Sequence, residues 1–179
     1  MNTSLAPAVL LALTLAACTG DTLTAPMRAA PVLSRNSVTG HAALEAVPIT
    51  GRCETTFAPI PRPLPPVYRQ VATGTCQLSH LGRTTLLLVQ DINFAAGTQT
   101  SVEVTYTAAN GDVLRAMNIG TSRRSGAGVS FEATVTFVGG TGRFAHATGE
   151  AHAVGTANFV ANTSAYTLNG SLSYDASDR

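Results

Sequence analysis

Charge is scarce in this 179-residue chain, and lysine and tryptophan are absent altogether. Charged residues make up 12% of the sequence, and the 11 basic residues, all arginines, nearly balance the 10 acidic ones to leave a formal net charge of +1. A nucleic-acid binder needs a concentrated basic face to displace counterions from phosphates, and a polybasic membrane binder needs one for anionic lipids. The composition therefore excludes both classes and predicts no nucleic-acid partner.

Long apolar runs are also lacking, and the longest covers Leu5–Ala17. At about 13 residues it is shorter than the roughly 20 that span a bilayer, which is typical of the core of an export signal. It ends in Leu15-Ala16-Ala17-Cys18, which matches the lipobox of bacterial lipoproteins. We predict a lipoprotein signal peptide over residues 1–17 and lipidation of the Cys18 thiol. The start lacks lysine and arginine, and an ordinary secretory signal with an incidental cysteine is the alternative.

A lipid on Cys18 would place the protein in a bacterial cell envelope, on the outer-membrane or periplasmic side, with the membrane as its partner. Several acyl chains anchor stably because each buried methylene contributes about 0.8 kcal/mol; a secreted protein is the alternative. Residues 18–47 are rich in Ala, Thr, Pro and Ser without a sustained period, and predict a flexible, lipid-anchored tether.

Alternation of apolar and polar residues begins at Ile49 and recurs in short runs separated by Gly, Asn and Pro. It predicts eight strands, at 49–57, 67–79, 83–94, 100–108, 112–121, 129–138, 145–159 and 164–174. Asn110-Gly111 is the strongest hairpin signal, because both residues accept a positive φ. The fold expected is all-β: a small antiparallel barrel of about eight strands, or a sandwich, over residues 48–174 with a tail at 175–179.

The pattern also assigns faces to several strands. Val102, Val104 and Tyr106 are expected on one side of their strand, opposite Glu103. The proline-rich segment Ala58–Pro66 cannot donate enough hydrogen bonds for a strand and predicts an extended connector.

Three cysteines are present, and one of them, Cys18, is assigned to lipid. Cys53 and Cys76 lie on the first two predicted strands, where an antiparallel pair would let them face each other. An exported protein meets oxidising conditions, so the pair is a disulfide candidate; two reduced cysteines packed as small apolar residues are the alternative. Neither has a second ligand at metal-binding spacing, and no metal site is predicted.

Few residues suggest chemistry. His146, Glu150 and His152 form a weak polar cluster that could serve a metal or an acid–base pair, although a solvated outer face explains the same pattern. Gly140–Ala145 nominally fits a dinucleotide motif, but a strand follows it where that motif requires a helix. No cofactor is predicted, and no catalytic residue is identified.

Four stretches resemble one group of barrel proteins. Val138–Glu150, VGGTGRFAHATGE, resembles the GGTGRFAGATG hairpin of the allene oxide cyclase-like and dirigent-like β-barrels and of many uncharacterised bacterial exported proteins. Segments of those bacterial proteins are similar to Gly74–Arg83 (GTCQLSHLGR), Tyr106–Asp112 (YTAANGD) and Tyr166–Tyr174 (YTLNGSLSY). The bacterial pattern usually has glycine where this chain has His146. The resemblance covers roughly residues 48–174.

The resemblance implies a barrel in which Gly139, Gly140 and Gly142 permit a tight turn while Phe144 and Ala147 plug the interior or one end. The plant members cyclise hydrophobic small molecules or steer their coupling inside the barrel. Their catalytic acids lie outside the matching motifs, so none is transferred to this chain.

The function expected is a lipid-anchored binding or interaction module, with an apolar small molecule in its lumen. An isomerase or cyclase-like enzyme and a purely structural envelope protein are the alternatives, because fold likeness alone does not assign chemistry. A fully packed lumen would exclude the ligand. The enzyme would need a buried carboxylate or histidine, and would be excluded if Glu103, Glu132, Glu150 and every histidine faced solvent.

Overall fold

The computed structural model describes residues 45–61, 66–126 and 128–175. The predicted signal peptide, Cys18 and nearly all of the predicted tether and tail lie outside these residues. The described chain confirms an all-β fold, in which eight antiparallel strands pair in sequence order and β8 closes onto β1. The strands are β1 (Ala46–Ile60), β2 (Val67–Leu78), β3 (Gly82–Asn93), β4 (Thr98–Ala108), β5 (Val113–Ser125), β6 (Gly128–Gly140), β7 (Thr148–Asn158) and β8 (Thr163–Ser173).

The strand connections lie alternately at two ends of the barrel. One end holds the β2–β3, β4–β5 and β6–β7 connections, and Ala46 pairs there with Ser173. We call it the plug end, because the β6–β7 connection contains a 3₁₀ turn, Gly142–Phe144, with a buried phenylalanine. The β1–β2, β3–β4, β5–β6 and β7–β8 connections lie at the other end, which we call the open end.

Strand alternation places the core inside the barrel. On β6, Ala133, Val135 and Phe137 are buried while Glu132 and Thr136 are exposed. On β7, every inward position is small and leaves lumen volume for larger side chains of other strands; these residues are Gly149, Ala151, Ala153, Gly155 and Ala157. The sequence pattern predicts this division for β6, with Phe131, Ala133, Val135 and Phe137 opposite Glu132, Thr134 and Thr136, because successive side chains of a strand point to opposite sides.

The predicted inward face of β4 is wrong at Val102. Val104 and Tyr106 are buried, but Val102 is 56% exposed. The ladder between β4 and β5 shifts register between Thr100 and Val104. A β-bulge adds one residue to one strand and so reverses the alternation on one side of it.

Two prolines lie inside β1, although the sequence predicted none in a strand. The predicted connector Ala58–Pro66 gives its first residues to β1, where Pro59 pairs with β2, and Pro48 pairs with β8 near the other end of the strand. The β8 ladder stops at Thr56 and the β2 ladder starts at Gly51. Each proline therefore lies where β1 has a single neighbour, and a missing N–H on the free side interrupts no ladder.

The seventh strand starts later than predicted. It was expected from residue 145 but begins at Thr148, because the chain turns through the 3₁₀ segment and the residues after it. Gly139, near the end of β6, and Gly142, in the 3₁₀ turn, adopt φ values of 94° and 54°. A side chain at Gly142 would also collide with the carboxylate of Asp112, so the glycine that the resemblance marked is required here.

The hairpin between β4 and β5 forms at the predicted Asn110-Gly111. Only Gly111 takes a positive φ, of 90°. Its backbone N–H donates to the carbonyl oxygen of Ala108 at 3.0 Å, and Nδ2 of Asn110 donates to Oδ2 of Asp112 at 2.8 Å. Asn110 thus supports the turn through its side chain rather than through an unusual backbone conformation.

Candidate functional site

The polar cluster suggested by the sequence lies outside the lumen. Glu150 and His152 point outward from β7, and His146 is exposed in the turn before it. Within the described ranges, no three histidine, cysteine, aspartate or glutamate side chains gather where they could hold a metal ion. The structure therefore places these three residues on the solvated outer face.

The enzyme hypothesis requires a carboxylate or histidine that is buried in the lumen, but the described glutamates and histidines are exposed. Glu103 and Glu132 point outward from β4 and β6. His80 occupies the turn between β2 and β3 with a left-handed φ of 65°, and its ring lies 6.1 Å from that of Tyr174. His41 lies outside the described residues. No glutamate or histidine of the described chain faces the lumen.

Cys53 and Cys76 form a disulfide inside the barrel. They are direct partners in the β1–β2 ladder, and both side chains are buried. The bond closes a loop with a sequence separation of 23 that contains the whole β1–β2 connection at the open end. Cys53 is also the ladder partner of Tyr166 on β8, so the disulfide lies near the middle of the lumen.

The plug end is filled by the β6–β7 connection. Phe144 is 0% exposed and packs 5.3 Å from the ring of Tyr174, and Ala147 is buried beside the core. The guanidinium of Arg143 stacks over Phe144 at 4.8 Å, and its Nε lies 3.5 Å from Oδ2 of Asp112. Aromatic packing, a cation–π contact and an ion pair thus hold the plug in place, as the resemblance implied for Phe144 and Ala147.

Two tyrosines mark the boundary between the packed half and the rest of the lumen. The hydroxyl of Tyr106 on β4 lies beside that of Tyr166 on β8, but it makes no well-formed hydrogen bond within the described chain. Burial raises the pKa of Tyr106 to about 12 and, together with the neighbouring Tyr106, raises that of Tyr166 well above its usual value. Both hydroxyls therefore stay protonated across the physiological pH range.

A cavity of about 40 Å³ lies beyond Tyr166 toward the open end. Its apolar wall includes Leu88, Ile92, Val129, Phe131 and Ala153. Its neutral polar side chains include Gln70, Gln90, Gln99, Asn118 and Ser122. The wall combines apolar side chains with a few convergent polar groups, as small-molecule sites do, but the volume is far below the roughly 300 Å³ at which such sites begin.

Three polar atoms in the cavity wall lack partners. They are Oε1 of Gln70, Oδ1 of Asn118 and Oγ of Ser122. Gln70 and Ser122 are only 4% and 7% exposed. A buried polar atom without a hydrogen bond costs about 1–3 kcal/mol. Protein atoms of the described chain do not pair these three groups, so a partner for them must lie in the cavity itself.

Four aromatic rings lie together at the open end, and one of them borders the cavity. Phe159, in the β7–β8 connection, lines the cavity and lies 5.2 Å from Phe57, 5.5 Å from Phe94 and 6.3 Å from Tyr68, with its ring steeply inclined to each. Edge-to-face contacts of this kind stabilise aromatic clusters. We call these four residues the aromatic lid.

The cavity wall carries no charge among its described residues. The nearest described ion pair to the mouth lies on the outer face, where Arg69 donates from Nε and Nη2 to the carboxylate of Asp91 at 2.6 Å each. This hydrogen bond lowers the pKa of Asp91 and raises that of Arg69. The interior of the cavity therefore suits an uncharged occupant, since an ion would lose its hydration without gaining a counter-charge.

Sequence reasoning missed this cavity because it looked for acids, histidines and cysteines. The sequence did carry a signal, which is a change from apolar to polar residues at the inward positions of one strand. On β5 these positions run Leu114, Ala116, Asn118, Gly120 and Ser122, so two polar side chains follow two apolar ones in the same phase. Polar residues in the buried phase of an otherwise alternating strand indicate a lined cavity more directly than polar residues beside a turn.

Comparisons with protein-family models, with curated proteins and with solved structures find no match to this chain. The described residues contain no helix that is long and apolar enough to cross a bilayer. The class that the fold defines is a small closed antiparallel β-barrel that is compatible with a binding module.

Proposed function

We propose that this protein is a cell-envelope lipoprotein whose barrel binds a small, mainly apolar molecule at the open end of its lumen. The observation that carries the binding part is the contrast within one lumen. The plug half is closed by Phe144, whereas the open half retains a cavity with three unpaired polar atoms. Polar atoms in this position need a partner inside the cavity, because each one left unpaired costs about 1–3 kcal/mol.

The resemblance to allene oxide cyclase-like barrels supports a ligand at this position. The plant members of that group handle hydrophobic small molecules inside the barrel. The apolar wall of the cavity, with Leu88, Ile92 and Phe131, is suited to the same kind of molecule. The likeness supports the site and not a reaction.

An enzyme of the same group is a weaker candidate. It needs an acid or base in contact with the ligand, and the cavity wall offers carboxamides, hydroxyls and a tyrosine whose pKa lies well above its usual value. Glu103 and Glu132 point away from the lumen. No observation favours this alternative over binding.

Native mass spectrometry of the full chain, purified from the cells that express it, tests the binding proposal. We expect an added mass that is lost in Ala153→Val, because two extra methyl groups would fill a cavity of about 40 Å³. Val154→Leu is the matched control, since Val154 is the next residue on β7 and points outward. Retention of the added mass in Ala153→Val, or its absence from the wild type, would contradict binding in this cavity.

The anchoring part rests on Cys18 and the apolar run before it. Radiolabelled palmitate should enter the wild-type chain and not Cys18→Ala, because the cysteine thiol carries the diacylglyceryl group in bacterial lipoproteins. Cys53→Ala controls for a general effect of losing a cysteine. Label in Cys18→Ala would refute the lipobox and favour a secreted protein.

A further inference from the structure

The chemistry of the open-end cavity restricts its occupant further, on the premise of the proposed binding function. Oε1 of Gln70 and Oδ1 of Asn118 are acceptors, and Oγ of Ser122 both donates and accepts; none has a partner within the described chain. Gln70 approaches the cavity from β2, while Asn118 and Ser122 approach it from β5. Amide oxygens on two sides of the lumen thus await a hydrogen-bond donor.

The size of the cavity shows what must move. At about 40 Å³ the cavity is much smaller than a cavity of roughly 150 Å³ that holds one benzene ring. A larger molecule can enter only by displacing part of the wall. Phe159 is the lining residue suited to move, because it lies in a connection and its neighbour Val160 is 81% exposed.

The surroundings of Phe159 define the shape of the group that would replace it. Its ring makes inclined contacts with Phe57, Tyr68 and Phe94. A planar ring entering the same place would keep all three contacts, whereas a flexible chain would not. The absence of charge in the described wall excludes an ionised group at that depth.

We propose that the cavity binds an uncharged ring compound bearing an N–H or O–H group, whose ring replaces Phe159 in the aromatic lid while its donor bonds Gln70 Oε1 or Asn118 Oδ1. The ring of Phe159 then competes with the ring of the ligand for the same position. Removing it strengthens binding, and removing an acceptor abolishes the preference for a donor.

Indole and indene test this proposal, because the two molecules share a shape and differ in an N–H against a methylene group. Isothermal titration of the full chain should give a dissociation constant for indole at least about tenfold below that for indene in Phe159→Ala, since indene leaves buried acceptors unpaired. The wild type should bind indole more weakly than Phe159→Ala does. Val160→Ala, a truncation of the exposed neighbour, should behave like the wild type.

Asn118→Leu replaces one acceptor with an apolar group of similar shape. It should bring the indole-to-indene affinity ratio toward one, while indene still binds, when the donor bonds Asn118; Gln70→Leu makes the same test at the other acceptor. A ratio unchanged in both variants would overturn the donor requirement. Circular dichroism of each variant confirms that the barrel is folded.

The outcomes separate the two proposals. Equal affinity of Phe159→Ala for indole and indene, with binding blocked by Ala153→Val, would overturn the donor requirement and leave lumenal binding intact. Failure of folded Phe159→Ala to bind either probe would overturn this inference. The proposed function would then depend only on the co-purified mass and its loss in Ala153→Val.

Discussion

The two ends of the barrel differ in how their side chains fill the lumen. At the plug end the chain folds back on itself, buries Phe144 completely and holds the turn with Arg143 and Asp112. At the open end the aromatic lid borders, through Phe159, a cavity in which Gln70 and Ser122 have unpaired polar atoms. One half of the lumen is packed shut, although Nε of Arg143 makes no hydrogen bond there, and the other half retains a cavity lined by three unpaired polar atoms.

The largest effect should come from removing the plug. Phe144→Ala deletes a fully buried aromatic side chain, and we expect a loss of about 3–5 kcal/mol in the free energy of unfolding measured in urea. Phe159→Ala, a truncation of the same size in the aromatic lid, should cost less because Phe159 is only partly buried. An equal loss in the two variants would remove the distinction between the ends.

The disulfide stabilises the open end as the plug stabilises the other end, because it restrains the loop that contains the β1–β2 connection. Replacing Cys53 and Cys76 together by alanine should lower the free energy of unfolding by about 3 kcal/mol, the loop-closure entropy for a separation of 23 residues. Urea unfolding of the wild type with and without a reductant that reaches the bond checks this. Unchanged stability after verified reduction would contradict it.

The buried tyrosines between the two halves predict a loss of stability in alkali. The folded-state pKa of Tyr106 is raised from 10.0 to about 12, so its contribution is intact below pH 10 and is lost as the pH rises from about 10 to 12. A shift of that size corresponds to about 3 kcal/mol. Tyr106→Phe should reduce this alkaline loss of stability. Urea unfolding of both proteins at several pH values measures it. A profile identical to that of the wild type would show that Tyr106 ionises freely in the fold.

The smallest effect compares one hydroxyl from each kind of environment. Ser122→Ala removes an unpaired hydroxyl from the cavity and should leave the free energy of unfolding unchanged or raise it by about 1 kcal/mol. Thr84→Val removes a buried hydroxyl that donates to the carbonyl oxygen of Cys76 at 3.3 Å, and should lower it by a similar amount. The comparison fails if Ser122→Ala loses as much stability as Thr84→Val.

Much of the fold could be predicted because alternation is a direct signal of strands. The order of the eight strands, the hairpin at Asn110-Gly111 and the facing of Cys53 and Cys76 follow from local pattern and short connections. The errors lie where tertiary structure overrides local pattern. A bulge turns Val102 outward, and the stagger of β1 lets Pro59 join a strand.

The candidate site was harder to predict than the fold. Polar residues are common on the outside of strands, so Gln70, Asn118 and Ser122 attract attention only when the inward phase of β2 and β5 is known. That phase depends on which face closes around the lumen, and closure is a property of all eight strands together. His146 and Glu150 were more conspicuous in the sequence because they flank a turn, where polar residues are ordinary.

The even number of strands has a consequence for orientation. A chain that crosses the barrel eight times leaves it at the end where it entered, and Ala46 and Ser173 are indeed ladder partners at the plug end. Anything attached through the residues before β1, whether a lipid anchor or a fused reporter, therefore joins the barrel on the side away from the aromatic lid.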